Sequence, residues 1–160
     1  MSTTETVLPP RTQVPAEQLS AWVAFLEAHA RVTEVLEREL REEEGLPLSW
    51  YDVLVHLHRA QDHRLRMREL AQAILLSKSG LTRLVDRMEH AGLVRRAACR
   101  SDRRGTFAEL TPEGLARLRA TAPTHLRGVR EHFADLFDVD EAAALTELLG
   151  RVTVAARAAR

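Results

Sequence analysis

Ser77-Lys78-Ser79-Gly80-Leu81-Thr82-Arg83-Leu84-Val85-Asp86-Arg87-Met88 is the stretch that decides the fold. Ser77 offers a helix-capping hydroxyl, and Leu81, Leu84, Val85 and Met88 recur at spacings of three and four, so one side of a helix is apolar. The other side carries Lys78, Ser79, Thr82, Arg83 and Asp86, with Arg87 a turn beyond Arg83. A helix anchored on one side, with short polar and cationic residues near its start on the other, suits the roughly 12 Å major groove of duplex DNA. Gly80 keeps one turn slim, and Arg83 is the candidate for a bidentate contact to guanine. Ser79 and Thr82 are placed for phosphate or base, with Ser77 serving mainly as the cap. Taken alone, the stretch also fits an ordinary amphipathic surface helix.

On the N-terminal side, Met67, Leu70, Ala71 and Ile74 predict a helix of about two turns, with Arg68 on its polar side, and a tight turn before Ser77. Helix, turn and helix follow in order. On the C-terminal side, Gly92 marks the end, and residues 93–99 and 106–110 read as two strands of a hairpin. Its tip, residues 100–105, holds Arg100, Arg103 and Arg104 around Asp102. Arginines so placed suit a narrow minor groove, with Asp102 orienting one of them; a solvated charged turn is the alternative.

The outer segments are helical. Trp22, Phe25, Leu26, His29, Val32, Leu36 and Leu40 form one apolar stripe on a long helix that Gly45 and Pro47 stop. Ser49 and Asp52 resemble a capping box for a second helix ending near Arg59, with Tyr51, Leu54, Val55 and Leu57 inward. Thr111-Pro112-Glu113 opens a further helix, expected to reach Phe137 with a kink at Pro123. A last helix from about Asp140 places Leu145, Leu148, Leu149 and Val152 inward. The expected fold is mainly α with a small β-hairpin wing: a winged helix-turn-helix of six helices. Residues 1–14 read as a disordered arm and 15–160 as one domain. Within it, 15–48 and 111–160 supply dimerisation helices and 49–110 the DNA-binding part.

Composition narrows the function. The formal net charge is zero, yet residues 64–104 hold 11 Lys/Arg against 4 Asp/Glu, while residues 1–63 hold 5 against 11. A cationic block between acidic or neutral flanks is the footprint of a phosphate-facing element. No apolar run approaches the roughly 20 residues that span a bilayer, so a cytoplasmic protein with no membrane partner is expected. Cys99 is the one cysteine; beside Arg95, Arg96 and Arg100 its thiolate would be stabilised, and a plain strand residue is the alternative. His56/His58 and His125/His132 match no zinc spacing, so no metal or cofactor is expected. Phosphate-loop and nucleophile motifs are absent from the sequence, which argues against an enzyme. The rival to a DNA-binding regulator is a winged-helix module that binds protein.

Three motifs resemble the MarR family of bacterial transcriptional regulators over about residues 15–151. Met67-Arg68-Glu69-Leu70-Ala71 is similar to that family's short helix before the turn. The stretch from Ser77 to Glu89, with Ala91-Gly92-Leu93-Val94, is similar to its recognition helix and exit. Asp102-Arg103-Arg104, followed by Leu110-Thr111-Pro112-Glu113-Gly114, resembles its wing tip and fifth helix. The resemblance implies a triangular homodimer on a pseudo-palindromic operator, nucleoid-associated, and more often repressor than activator. It implies Arg104 in the minor groove, and a small aromatic or phenolic effector. Trp22, His29, Trp50, Tyr51 and His56 are candidates to line that effector's pocket, since rings with polar handles suit aromatic acids; helical core is the alternative.

Overall fold

The structure, a computed structural model, describes residues 13–98 and 105–159. In chain order it contains α1 (Ala16–Glu44), α2 (Leu48–Arg59), β1 (Arg64–Arg66), α3 (Met67–Ala73), α4 (Lys78–His90), β2 (Val94–Ala98), β3 (Thr106–Leu110), α5 (Pro112–His132) and α6 (Val139–Ala158). The six helices and the wing are as expected. The arm proposed for residues 1–14 falls almost wholly outside the described residues, as do Cys99 and the tip residues Arg100, Asp102, Arg103 and Arg104.

The chain divides into two compact units, residues 1–34 and 35–160. In the first, Trp22 packs on Phe25 with ring centroids 6.0 Å apart, and Phe25 on His29 at 6.4 Å. These side chains remain exposed, as do Leu19, Val23 and Leu26. Of the α1 stripe, Leu36 and Leu40 are buried, both in the second unit.

The core of the second unit joins Leu40, Leu46, Tyr51, Val53, Leu54, Leu57, Leu70, Leu81, Leu84, Val85, Met88, Val94, Ala108 and Leu118. The α4 stripe read from the sequence is wholly buried; on α2, Val53 is buried and Val55 only half-buried, because the helix turns its Val53 side to the core. Ser49 does not cap α2. Pro47 occupies the N-cap with φ −62°, and Glu37 of α1 accepts a hydrogen bond from the Leu48 amide at 2.6 Å instead. A side chain from another helix thus satisfies the orphan donor.

A third strand, β1, escaped the sequence reading. It pairs antiparallel with β3, giving the order β1-β3-β2. Its three residues, Arg64, Leu65 and Arg66, carry too few apolar positions for an alternation to show. Arg64 joins Glu109 at 3.6 Å, Arg95 meets the same carboxylate at 2.7 Å, and the Arg64 guanidinium lies 5.0 Å from the centroid of Phe107.

Helix α5 starts as expected: the Thr111 hydroxyl accepts from the Gly114 amide at 3.0 Å and donates to the Gly92 carbonyl at 2.7 Å. Gly114 is required by close approach, because a Cβ there would lie 2.0 Å from the Leu93 carbonyl oxygen. The helix runs through Pro123 but ends at His132, short of Phe137, because Phe133 turns to φ −142°, ψ −61° and a 3-10 turn, Ala134–Leu136, follows. Helix α6 then begins at a capping box between Asp138 and Glu141. The inward stripe expected on α6 is not buried: Leu145 and Leu149 are half-covered, and Leu148 and Val152 are exposed. Among the described residues, none of α6 is buried.

Helix α5 packs on α2 through His125, whose ring lies 4.3 Å from that of Tyr51 with its Nδ1 buried and unpartnered among the described residues. Burial lowers the His125 pKa from its ordinary value of 6.5. The folded protein therefore favours the neutral ring. The associated stability is present above pH 6.5 and is lost as pH falls towards the folded-state value, because the unfolded chain then takes up the proton first. A His125→Phe variant is expected to lose less thermal stability than the parent between pH 7.5 and 5.5, by about 2–4 °C per kcal/mol recovered. Melting curves across that range check it; parallel pH profiles would refute it.

Candidate nucleic-acid interface

The site is built on α4. Ser77 is the N-cap, its Oγ accepting from the Gly80 amide at 3.0 Å, which releases the first turn to present side chains outward. Gly80 is suited to this tight start, where a Cβ would lie 3.0 Å from the Ser77 Oγ. With four apolar residues buried, Lys78, Ser79, Thr82, Arg83, Asp86 and Arg87 are all exposed. Thr82 Oγ1 donates to the Lys78 carbonyl at 2.9 Å, and the Ser77 and Ser79 hydroxyls lie 3.3 Å apart. Arg68 of α3 is exposed as well. It borders the same concave surface as Lys78 and Thr82, a surface that continues to Gly105 and Thr106 beside the wing.

Two groups of cations stand out on α3, α4 and the sheet. Arg64, Arg95 and Arg96 are engaged by Glu109, Asp86 and Glu89. Arg68, Lys78, Arg83 and Arg87 have no acidic partner within ion-pairing distance among the described residues. All four belong to the larger set read from the sequence as candidate DNA contacts, of which Arg103 and Arg104 lie outside the described residues.

Arg96 makes a connection that sequence reading missed. From β2 it sends Nη1 to Glu89 Oε2 at 2.6 Å and Nη2 to Asp86 Oδ1 at 2.7 Å, and it also reaches the Thr82 carbonyl at 3.3 Å. Its own backbone amide donates to Glu89 Oε1 at 2.9 Å. One arginine thus ties the wing to the outer half of α4. Partial burial works to lower its pKa, but the hydrogen bonds and charges of Asp86 and Glu89 outweigh that and leave it above the ordinary arginine value. Asp86, placed on the groove-facing side by periodicity, is thus turned to the wing. The signal was not in the spacing, since Glu89 and Arg96 sit on different elements joined by a turn.

The pocket candidates are divided between the units. Trp22 and His29 lie exposed in the first; in the second, Tyr51 is buried in the core, Trp50 is half-buried against it and His56 is half-buried. Burial raises the Tyr51 pKa, with the Asp52 charge adding to it. Among the described residues, no cluster of His, Cys, Asp and Glu is suited to hold a metal ion, and no helix is long and apolar enough to cross a membrane.

Comparison with known proteins points the same way. The MarR family model matches residues 44–105, from the end of α1 to the wing tip. The HTH-type transcriptional repressor YetL of Bacillus subtilis is 30% identical over 125 residues, covering 76% of this chain and 74% of that protein. Among solved structures, AbsC of Streptomyces coelicolor, described as a MarR family transcriptional regulator, superposes with a TM-score of 0.84 at 39% identity, over 91% of this chain and 98% of that one. Sco3205 from the same organism, solved in complex with DNA, gives 0.82 at 38% identity over 88% of each chain.

The Arg96 tie yields a direct test. In a double-mutant cycle, Arg96→Met and Glu89→Gln are expected to couple by about 1–2 kcal/mol in denaturant unfolding, well above an exposed surface pair. Arg96→Lys, which keeps the charge but not the fork, should recover only part of it. Additive single effects would show that the contact does not hold the wing.

Proposed function

Because this chain belongs to the MarR family of transcriptional regulators, we propose that it acts by binding, not catalysis, on duplex DNA as a homodimer. In this reading α4 enters the major groove of each half-site. The observation that carries it is the set of unpaired cations: Lys78, Arg83 and Arg87 on the exposed side of α4, whose reverse side is locked in the core, with Arg68 of α3 bordering the same concavity as Lys78. A polyanion neutralises such a face and releases its own counterions in doing so. Arg83 reads base edges, Ser79 and Thr82 serve phosphate or base, and Arg103 and Arg104 of the wing take the minor groove with Asp102 orienting one of them.

Pairing of two copies is supported by apolar surface on the terminal helices. Trp22 is 53% exposed, Leu148 54% and Val154 69%, and α6 buries none of its residues in the single chain. Symmetric association covers such surface and sets two recognition helices about one helical turn of DNA apart. The protein would work as a repressor in the bacterial cytoplasm, on the nucleoid. A small aromatic effector acts in this reading by changing that spacing.

Fluorescence anisotropy on DNA flanking the protein's own gene, over a salt series, tests the proposal. Selective binding should weaken steeply with salt, and Arg83→Ala should cost about 1–3 kcal/mol and relax base preference. Arg104→Ala should weaken binding with less effect on major-groove preference. Salt-insensitive or absent binding, to this and to genomic fragments, would favour a protein-binding module. In sedimentation equilibrium, Leu148→Glu should convert a dimer to monomer; a dimer that persists would move the interface elsewhere.

A further inference from the structure

We infer that Leu75, in the turn between α3 and α4, is itself a DNA contact, its side chain packing on a thymine methyl group in the major groove. The inference rests on the proposed role of α4 and extends it to a residue outside the helix.

Three helices of this chain end in a residue with left-handed backbone. Helix α1 ends at Gly45, φ +63°, and α4 at Gly92, φ +76°. At both, glycine occupies a conformation that disfavours a β-carbon. Helix α3 ends the same way, with the Leu76 amide donating to the Ala71 carbonyl at 3.0 Å, just as the Leu93 amide donates to Met88 at 3.0 Å after α4. Here, however, the left-handed residue is Leu75, φ +56°. A bulky side chain at a glycine position is a local cost, and such costs persist where something else requires the side chain.

Among the described residues, no packing in the core requires it. Leu75 is 80% exposed and lies outside the core cluster. Nor does the surface ascribed to dimerisation account for it: among the described residues from 35 to 125, the exposed large apolar side chains are Leu75 and its neighbour Leu76. Leu76, half as exposed at 40%, stands at the position after a left-handed helix end, where an apolar side chain commonly packs back on the helix. That leaves Leu75, which borders the same concavity as Arg68, Lys78 and Thr82. Cations around the rim select a polyanion. The apolar group that duplex DNA displays on its major-groove edge is the thymine C5 methyl.

The test uses Leu75→Gly and Leu75→Asn, both compatible with left-handed backbone, in the full-length protein. Melting temperatures should stay at or above the parent's. Affinity for the duplex that the parent selects should fall about fivefold, the worth of one or two buried methylene-sized contacts. Replacing thymines by uracil one at a time removes the methyl group and keeps the base pair. At one position the parent should lose the same factor, while both variants are indifferent. Three results overturn the inference: a fall in melting temperature, unchanged affinity in the variants, or equal losses on thymine and uracil duplexes. If the folded parent shows no salt-sensitive duplex binding at all, the proposed function itself fails and this contact falls with it.

Discussion

Leu81, Leu84, Val85 and Met88 are buried together with Leu54, Leu57, Leu70 and Val94, and that burial determines what every other position of α4 faces. Each such side chain is worth about 2 kcal/mol when taken from water, so rotating the helix by even one position would expose several of them. The exposed polar set is therefore a by-product of packing. Ser77, through its bond to the Gly80 amide, and Gly92, through its left-handed backbone, set where the helix starts and stops. The polar face has a defined length as well as a defined direction.

Charge is arranged on top of this frame. The chain has no formal net charge, yet its cations divide between those that carboxylates of the fold hold and those left open. Arg96 belongs to the first kind. By drawing Asp86 and Glu89 towards β2, it also removes two negative charges from competition with Arg83 and Arg87 on the outer face. A single residue thus joins two elements and leaves the exposed face of α4 more cationic than its sequence indicates. The pairing of Arg64 and Arg95 with Glu109 ties the strands of the sheet together in the same way.

The terminal helices follow a different rule. Helix α5 is anchored by specific contacts: Thr124 Oγ1 to Glu44 at 2.6 Å, His132 Nε2 to Glu39 at 2.6 Å, and Gly128, where a Cβ would approach Leu36 at 2.7 Å. Beyond Phe133 these contacts cease, and α6 keeps its form through its capping box and local bonds such as Thr146 to Ala142. An apolar helix with nothing buried is a poor bargain for a lone chain in water, which is why its surface reads as one made to be covered.

The sequence by itself determined the helices, the buried stripe of α4, the caps at Ser77 and Thr111, and the list of cations on the outer face. Each depends on residues within a turn or two of one another, where helical period and capping chemistry act locally. Only the tertiary structure decided that β1 joins the sheet, that Glu37 caps α2 in place of Ser49, that α5 stops at His132, and that Arg96 takes Asp86 and Glu89. It also decided that Leu75 is exposed in a left-handed turn and that the α6 stripe is not buried in the single chain. These depend on side chains brought together from separate elements, and sequence spacing carries no record of a distance that exists only after packing.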